Sequence, residues 1–223
     1  MAKLYVVGGA SRCGKSSVLR RFVERHGDNP LVAISSDDAL NALWKCHAGQ
    51  HDLHPELMQQ VADNEDGMDE ATWINFQRDT GYLVKRQHAQ SQAVWDMRLG
   101  DEIRTHLETS DVPMLAEGIA LLPDLIRPLA SIATVHAVYL GNESPSHADA
   151  LIQAARNVRS SQENWMHGLS DEQIRAYMWP KEAMSRRIGE MAAENGFTYI
   201  DMGQGNFSAN VDRAIDTLLD PNG

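Results

Sequence analysis

The eight residues Gly9-Ala-Ser-Arg-Cys-Gly-Lys-Ser16 constrain this chain more than any other feature. They match the pattern G-x-x-x-x-G-K-[ST]. Its glycines let the backbone curl until successive N–H groups face one anion. The apolar run Leu4 to Val7 precedes them, with the length of a buried strand. Lys15 to His26 follows with helical spacing, placing Val18, Leu19, Phe22 and Val23 on one side. The positive end of that helix would meet the same anion as the curled amides. Four fixed positions occur by chance in roughly 1% of chains this long. A strand before the match and a helix after it are the context that confirms a phosphate cradle. Gly9, Ala10, Ser11, Arg12, Cys13, Gly14, Lys15, Ser16 and Ser17 are therefore the candidate phosphate-binding residues. Lys15 extends along the β- and γ-phosphates of a nucleotide, and the Ser16 hydroxyl can ligate Mg²⁺.

The rest of the chain alternates strands with helices. Leu31–Ile34, Val112–Ala116 (ending in Glu117-Gly118), Val135–Leu140 and Thr198–Met202 read as four further strands. Helices are expected over about 36–45, within 69–109, over 121–129 and 147–159, from Ser170 to about Asn195, and over Ala209–Leu219. Gly81 and Gly100 predict two or three helices within 69–109, and Pro180 predicts a kink or break near Trp179. The pattern implies an α/β fold: three layers around a five-stranded parallel sheet, with a helical insertion between strands 2 and 3. One domain, 1–223, is expected, its insertion at about 47–110 and a lid at about 156–172.

Composition narrows the partners. Net charge is −11, from 31 acidic and 20 basic side chains. Nucleic acid and anionic membranes need a broad basic footprint, so a small ligand in a local pocket is the expected partner. No apolar run is long enough to span a membrane, and no secretory leader is evident, which makes a cytoplasmic protein the default expectation. Cys13 and Cys46 sit in no metal-type spacing. His47, His51 and His54 have a helical ligand spacing, but no cysteine or carboxylate completes a zinc site, and a polar loop over an acceptor is the better reading. Oligomeric state is open.

Three groups of residues carry candidate chemistry beyond the loop. Asp37 and Asp38 end the second strand on the carboxyl edge of the sheet, where a base could deprotonate an acceptor hydroxyl; both could equally cap the next helix. Glu117 ends the third strand, where a carboxylate beside the loop can hold Mg²⁺ or its water. Arg156 and Arg159 lie three apart on one helix face, a pair of cations that on the residues alone is either a solvated basic turn or a contact for an anion. Arg12 could reach the γ-phosphate or the acceptor, and Arg186-Arg187 is a second candidate pair that reads first as surface. Trp73, Tyr82 and Trp95 read first as the core of the insertion, with lining of an acceptor pocket as the second reading. Arg78, Lys85, Arg86 and Arg98 read as solvated first, with contact to an anionic acceptor as the second reading. No N-K-x-D base-reading string follows the fourth strand, so ATP rather than GTP is the expected nucleotide.

Gly8-Gly-Ala-Ser-Arg-Cys-Gly-Lys-Ser16 together with Glu117-Gly-Ile-Ala-Leu-Leu-Pro123 resembles 2-phosphoglycerate kinases, with Ala120 where those kinases usually carry His. Ser36-Asp-Asp-Ala-Leu-Asn-Ala-Leu43 is similar to the corresponding segment of chloramphenicol phosphotransferase. Both belong to the nucleoside-monophosphate-kinase-like branch of P-loop small-molecule kinases. The resemblance covers three short motifs and the strand–helix order. It implies Mg-ATP as phosphoryl donor, Asp37 as the base, lid arginines such as Arg156 and Arg159, and adenine packed near Gly203-Gln204-Gly205. The expectation is a phosphotransferase acting on a small-molecule hydroxyl. Its alternative is an ATP-binding or ATP-hydrolysing switch with a protein partner and no acceptor.

Overall fold

The computed structural model describes residues 2–38, 68–160 and 164–220. Its sheet has five parallel strands, β1 (Lys3–Gly9), β2 (Val32–Ser35), β3 (Met114–Gly118), β4 (Thr134–Gly141) and β5 (Thr198–Asp201). Their order is β2-β3-β1-β4-β5. In register, Val7 of β1 lies beside Glu117 of β3 and Val138 of β4.

Alternation along β1 divides the core. Leu4 and Val6 face one layer, Tyr5 and Val7 the other, as a period of two requires. Tyr5 and Val7 meet α1 (Lys15–His26) through Val18 and Phe22, and α8 (Phe207–Leu219) through Val211, Ala214, Ile215 and Leu218. On the opposite face lie α2 (Glu70–Arg78), α3 (Thr80–Val94), a π turn at Trp95–Leu99 and α4 (Gly100–Thr109). The short α5 (Pro123–Ile126) and α7 (Asp171–Glu194) complete this layer, while α6 (Ser146–Arg156) follows β4 and packs on α7. The expected three-layer α/β fold with a helical insertion between strands 2 and 3 is present.

Several local expectations need correction. Val23 is 53% exposed, so the buried stripe of α1 is narrower than its apolar residues suggest. The insertion breaks at Asp79, whose side chain accepts from the Tyr82 amide and starts a new helix. Gly81 lies inside the first turn of α3, and at Gly100 helical backbone continues through the π turn. Gly100 is there for packing: a Cβ would come within 2.8 Å of the Trp95 ring. Pro180 does not break its helix either. α7 runs unbroken for 24 residues, opened by a Ser170–Gln173 capping box. The lost hydrogen bond is tolerated because the helix is gripped on both sides, by α2 and α3 outside and by β4 inside. Cys46 and the three histidines at 47, 51 and 54 lie outside the described residues.

Candidate active site

β1 is flanked by β3 and β4, so the strand order reverses at its carboxyl end, and a crevice opens where the loop of residues 9–16 emerges. Backbone geometry dictates the glycines of that loop. Gly9 has φ +137, and a Cβ on it would lie 2.1 Å from the Leu140 carbonyl oxygen. Gly14, at φ +93, is the N-cap of α1 and provides no side-chain cap. The leading N–H groups of α1 therefore have no side-chain partner from the cap, and no acidic residue occupies the first turn to neutralise them. Arg12 also adopts a left-handed φ of +66, which reinforces the curl.

Lys15 is 8% exposed. Its ammonium donates to the carbonyls of Ala10 at 2.8 Å and Gly9 at 3.2 Å, which stretches it back across the loop. Cys13 is buried, free of any disulfide, and donates its S–H to the Ala10 carbonyl. Burial raises its pKa while the Lys15 charge acts in the opposite direction, so the thiol packs rather than reacts. Ser16, next along, is exposed.

The candidate carboxylates gather at the neighbouring strand ends. Glu117 sits directly beside Ser35 in register and accepts its hydroxyl at 2.6 Å. Asp37 accepts from the Ile119 amide at 3.1 Å, and Ser36 from the Ala120 amide at 3.1 Å. These bonds clamp the turn after β3 to the end of β2. Gly118 allows it, since a Cβ there would fall 2.0 Å from the Ser36 hydroxyl. Asp37 is half-buried with its carboxyl oriented by that clamp, whereas Asp38 is exposed. Glu117 and Ser16 offer hard oxygen donors of the kind Mg²⁺ accepts. No group of three or more metal-binding side chains occurs among the described residues.

Beside the loop lies a cavity of about 430 Å³. Gly9, Ala10 and Ser11 form one end, Ile119 adjoins them, and α2, α3 and α7 close the rest. Trp73 lines this cavity, the second of the two readings made for it, while Trp95 is core. Tyr82 packs edge-on against Phe76. The insertion's cations also divide. Arg98 pairs with Glu102 at the surface, and Arg78 bonds Asn75 and lies over the Trp179 ring. Lys85 is exposed, and only Arg86 reaches the cavity.

On the other side of the loop, the turns after β4 and β5 meet. Asp201 accepts from the amides of Glu143 and Gly203, and Asn210 donates to the Gln204 carbonyl. These bonds hold the Gly203–Gly205 turn next to α1. Sequence reasoning passed over two residues here. Phe207, although 49% exposed, places its ring 2.9 Å from where a Gly14 Cβ would be. His147, in the first turn of α6, has its pKa lowered by burial and then by the Arg12 charge, and its Nδ1 is buried without a hydrogen-bond partner. Neither has a motif; an exposed aromatic just after a glycine turn was the only available signal for Phe207.

Arg156 is fully engaged. Its guanidinium donates to the carbonyls of His167 and Leu169 and to Asp171 at 2.6 Å, tying the end of α6 to the start of α7. Arg159 lies just past α6 and also makes contacts. Arg187 pairs with Glu190 and Arg186 is exposed, as a surface pair would be.

No protein-family model and no curated protein matches the chain. Solved structures similar to it include a presumed kinase from Chloroflexus aurantiacus, at 13% identity and TM-score 0.47, covering 97% of this chain and 98% of that one. A shikimate kinase from Bacteroides thetaiotaomicron aligns at 13% identity and TM-score 0.36, over 97% and 95% of the two chains. The shikimate kinase of Acinetobacter baumannii in complex with shikimate aligns at 13% identity and TM-score 0.39, over 100% and 95%. What this site can do is therefore decided by its own geometry.

Proposed function

We propose that this protein is an ATP-dependent phosphotransferase that moves the γ-phosphate to a hydroxyl of a small molecule. One observation carries the reading: the cradle around Lys15 and the cavity of about 430 Å³ share Gly9, Ala10 and Ser11 as a common wall. A phosphoryl donor on one side and an acceptor on the other would meet at that wall. Holding both reactants in this way is most of what phosphoryl transfer asks of a protein.

In this reading the amides of residues 9–17 and the Lys15 ammonium grip the β- and γ-phosphates. Lys15 gives up its bonds to the Gly9 and Ala10 carbonyls for the stronger partner. The acceptor oxygen attacks the γ-phosphorus, its proton passes to Asp37 or Asp38, and ADP leaves with the bridging oxygen. Asp37 is the favoured base, since the Ile119 amide fixes one of its oxygens and so orients the carboxyl. Mg²⁺, held through Ser16 and Glu117, would supply neutralisation of phosphate charge. Arg159, or Arg156 after release of its lid contacts, would cover the transferring group. The adenine base would lie by Phe207 and the Gly203–Gly205 turn.

The alternative, an ATP-driven switch with a protein partner, has no use for a cavity that shares a wall with the loop. No described helix is long and apolar enough to cross a membrane, and a cytoplasmic location remains part of the proposal. The test is ADP release by purified protein with Mg-ATP across a metabolite panel, with phosphorus NMR on each product. An acceptor-dependent rate lost in both Lys15→Ala and Asp37→Ala, with folded variants, is expected. ATP consumption unchanged in both, in the presence of a working acceptor, would remove the assignment.

A further inference from the structure

The wall that α3 gives the cavity carries unused hydrogen-bonding groups. Gln87 and Gln90 both line the cavity, three residues apart and so on one face of that helix. The Gln87 side-chain nitrogen is buried with no hydrogen-bond partner. A buried N–H of this kind destabilises the protein until something arrives to accept from it. Gln90 is half-buried, and among the described residues its amide has no partner either.

The charged lining is not equivalent. No Asp or Glu among the described residues lines the cavity, so nothing there is suited to an ammonium group. Arg86 and Lys181 reach it, but Arg86 has partners within the protein, and the Lys181 ammonium lies 4.7 Å from the centre of the Tyr177 ring. The two amides are what the cavity offers a ligand without disturbing a contact.

An amide has a donor end and an acceptor end of nearly equal size, and half a turn about its last bond exchanges them. A hydroxyl both donates and accepts, so it satisfies such an amide in either orientation. Two amides on adjacent turns of one helix face suit two hydroxyls of one small molecule. From α7, Met184 and Ile188 add an apolar surface. A carbon ring or chain with hydroxyls along one edge and C–H groups on its face fits both. The cavity, at about 430 Å³, lies within the range of about 300–1,000 Å³ typical of small-molecule sites.

We infer that the phosphoryl acceptor is an uncharged polyol, a monosaccharide or sugar alcohol, selected by Gln87 and Gln90 through hydroxyls other than the one phosphorylated. The word acceptor rests on the phosphotransferase reading; the polyol site does not.

Calorimetry on the full chain without nucleotide tests the site by itself. The probes are D-glucose, D-ribose, D-mannitol and myo-inositol, followed by the monodeoxy forms of whichever binds. At least one probe is expected to bind. Removing one of its hydroxyls, at one position or more, should weaken binding at least tenfold, because a site that bonds a hydroxyl rejects the analogue without it. Gln87→Leu and Gln90→Leu should each weaken binding of that probe about tenfold or more. In denaturant unfolding without ligand, Gln87→Leu should be at least as stable as the unsubstituted protein, since the N–H it removes bonds nothing. A clear loss of stability would assign that amide to the fold instead of to a ligand. Lys15→Ala should bind the probe within about twofold while transferring no phosphate, which separates failure of the polyol site from failure of the ATP chemistry. With Mg-ATP, Gln87→Leu and Gln90→Leu should raise KM for the polyol and leave KM for ATP nearly unchanged. No probe bound, D-gluconate or D-glucose 6-phosphate bound more tightly than every neutral probe, or binding indifferent to both substitutions in folded variants, would each overturn the inference.

Discussion

The two sides of the crevice are built on different principles. The loop proposed to grip phosphate is made by consecutive residues, and what it offers lies mostly in the main chain: amides aimed by Gly9, Arg12 and Gly14, with one lysine laid across them. The cavity beyond is lined mostly by side chains from distant parts of the sequence, Trp73 to Ile188, assembled by the packing of α2 and α3 on α7. A main-chain site can hold any polyphosphate and tolerates little change in its own residues. A side-chain site can be altered one residue at a time without disturbing the fold, which is how one scaffold serves many acceptors.

The sharpest way to break this contrast is at the cradle. Lys15→Ala should reduce phosphoryl transfer at least about a thousandfold, because the lysine acts on charge that develops during transfer. Denaturant unfolding should show the fold intact, since Lys15 bonds only to carbonyls of its own loop. Gly9→Ala should do the reverse and fail first in stability, by about 3 kcal/mol or more, from its clash with Leu140. If Gly9→Ala folds normally and loses only activity, the loop is less constrained than its geometry implies.

That contrast also explains what could be read before the structure. The curled loop between a strand and a helix was legible, because its geometry demands particular residue types in sequence, and so was the strand–helix alternation. Glu117 was legible at the end of its strand, but Asp37, read as the end of the second strand, lies past Ser35 in the helical turn that follows β2. The Ser35–Glu117 and Asp37–Ile119 bonds were not, because they depend on β2 lying next to β3. Arg86 could not be told from Lys85 by sequence, although one lines the cavity and its neighbour is exposed. Lys181 and Gln87 carry no motif at all. Pro180 does not break α7, because the helix is packed on both sides, which local propensity cannot register.

Next in size, Asp37→Asn should lower kcat by about a hundredfold or more with a small effect on KM for ATP, as loss of a base does. Asn can still accept from the Ile119 amide, so the clamp survives and stability should change little. Asp38→Asn should cost less than tenfold; a larger loss there than at Asp37, measured in steady-state kinetics, would exchange their roles. Phe207→Ala should raise KM for ATP about fivefold and leave the acceptor's KM alone, consistent with loss of one aromatic contact. An effect on the acceptor instead would place the aromatic on the wrong side of the crevice.

The smallest effect is on stability against pH. His136 and His147 both have lowered pKa values, each first through burial, then through Lys3 and Arg12 respectively. Folding therefore favours their neutral forms. The stability they contribute is full above their ordinary pKa of about 6.5 and is lost as pH falls from there through the lowered folded values. Denaturant midpoints at pH 7.5 and pH 5.5 should show a modest decline, smaller in His147→Gln. A midpoint that rises on acidification would contradict the burial assigned to these rings.

The account stands on phosphate leaving the cradle for a molecule in the adjoining cavity. Following γ-labelled ATP with the acceptor present measures this directly. One labelled acceptor should appear for each ADP formed, and Lys15→Ala should form neither. Label recovered only as inorganic phosphate, at a rate indifferent to every acceptor tried, would contradict it.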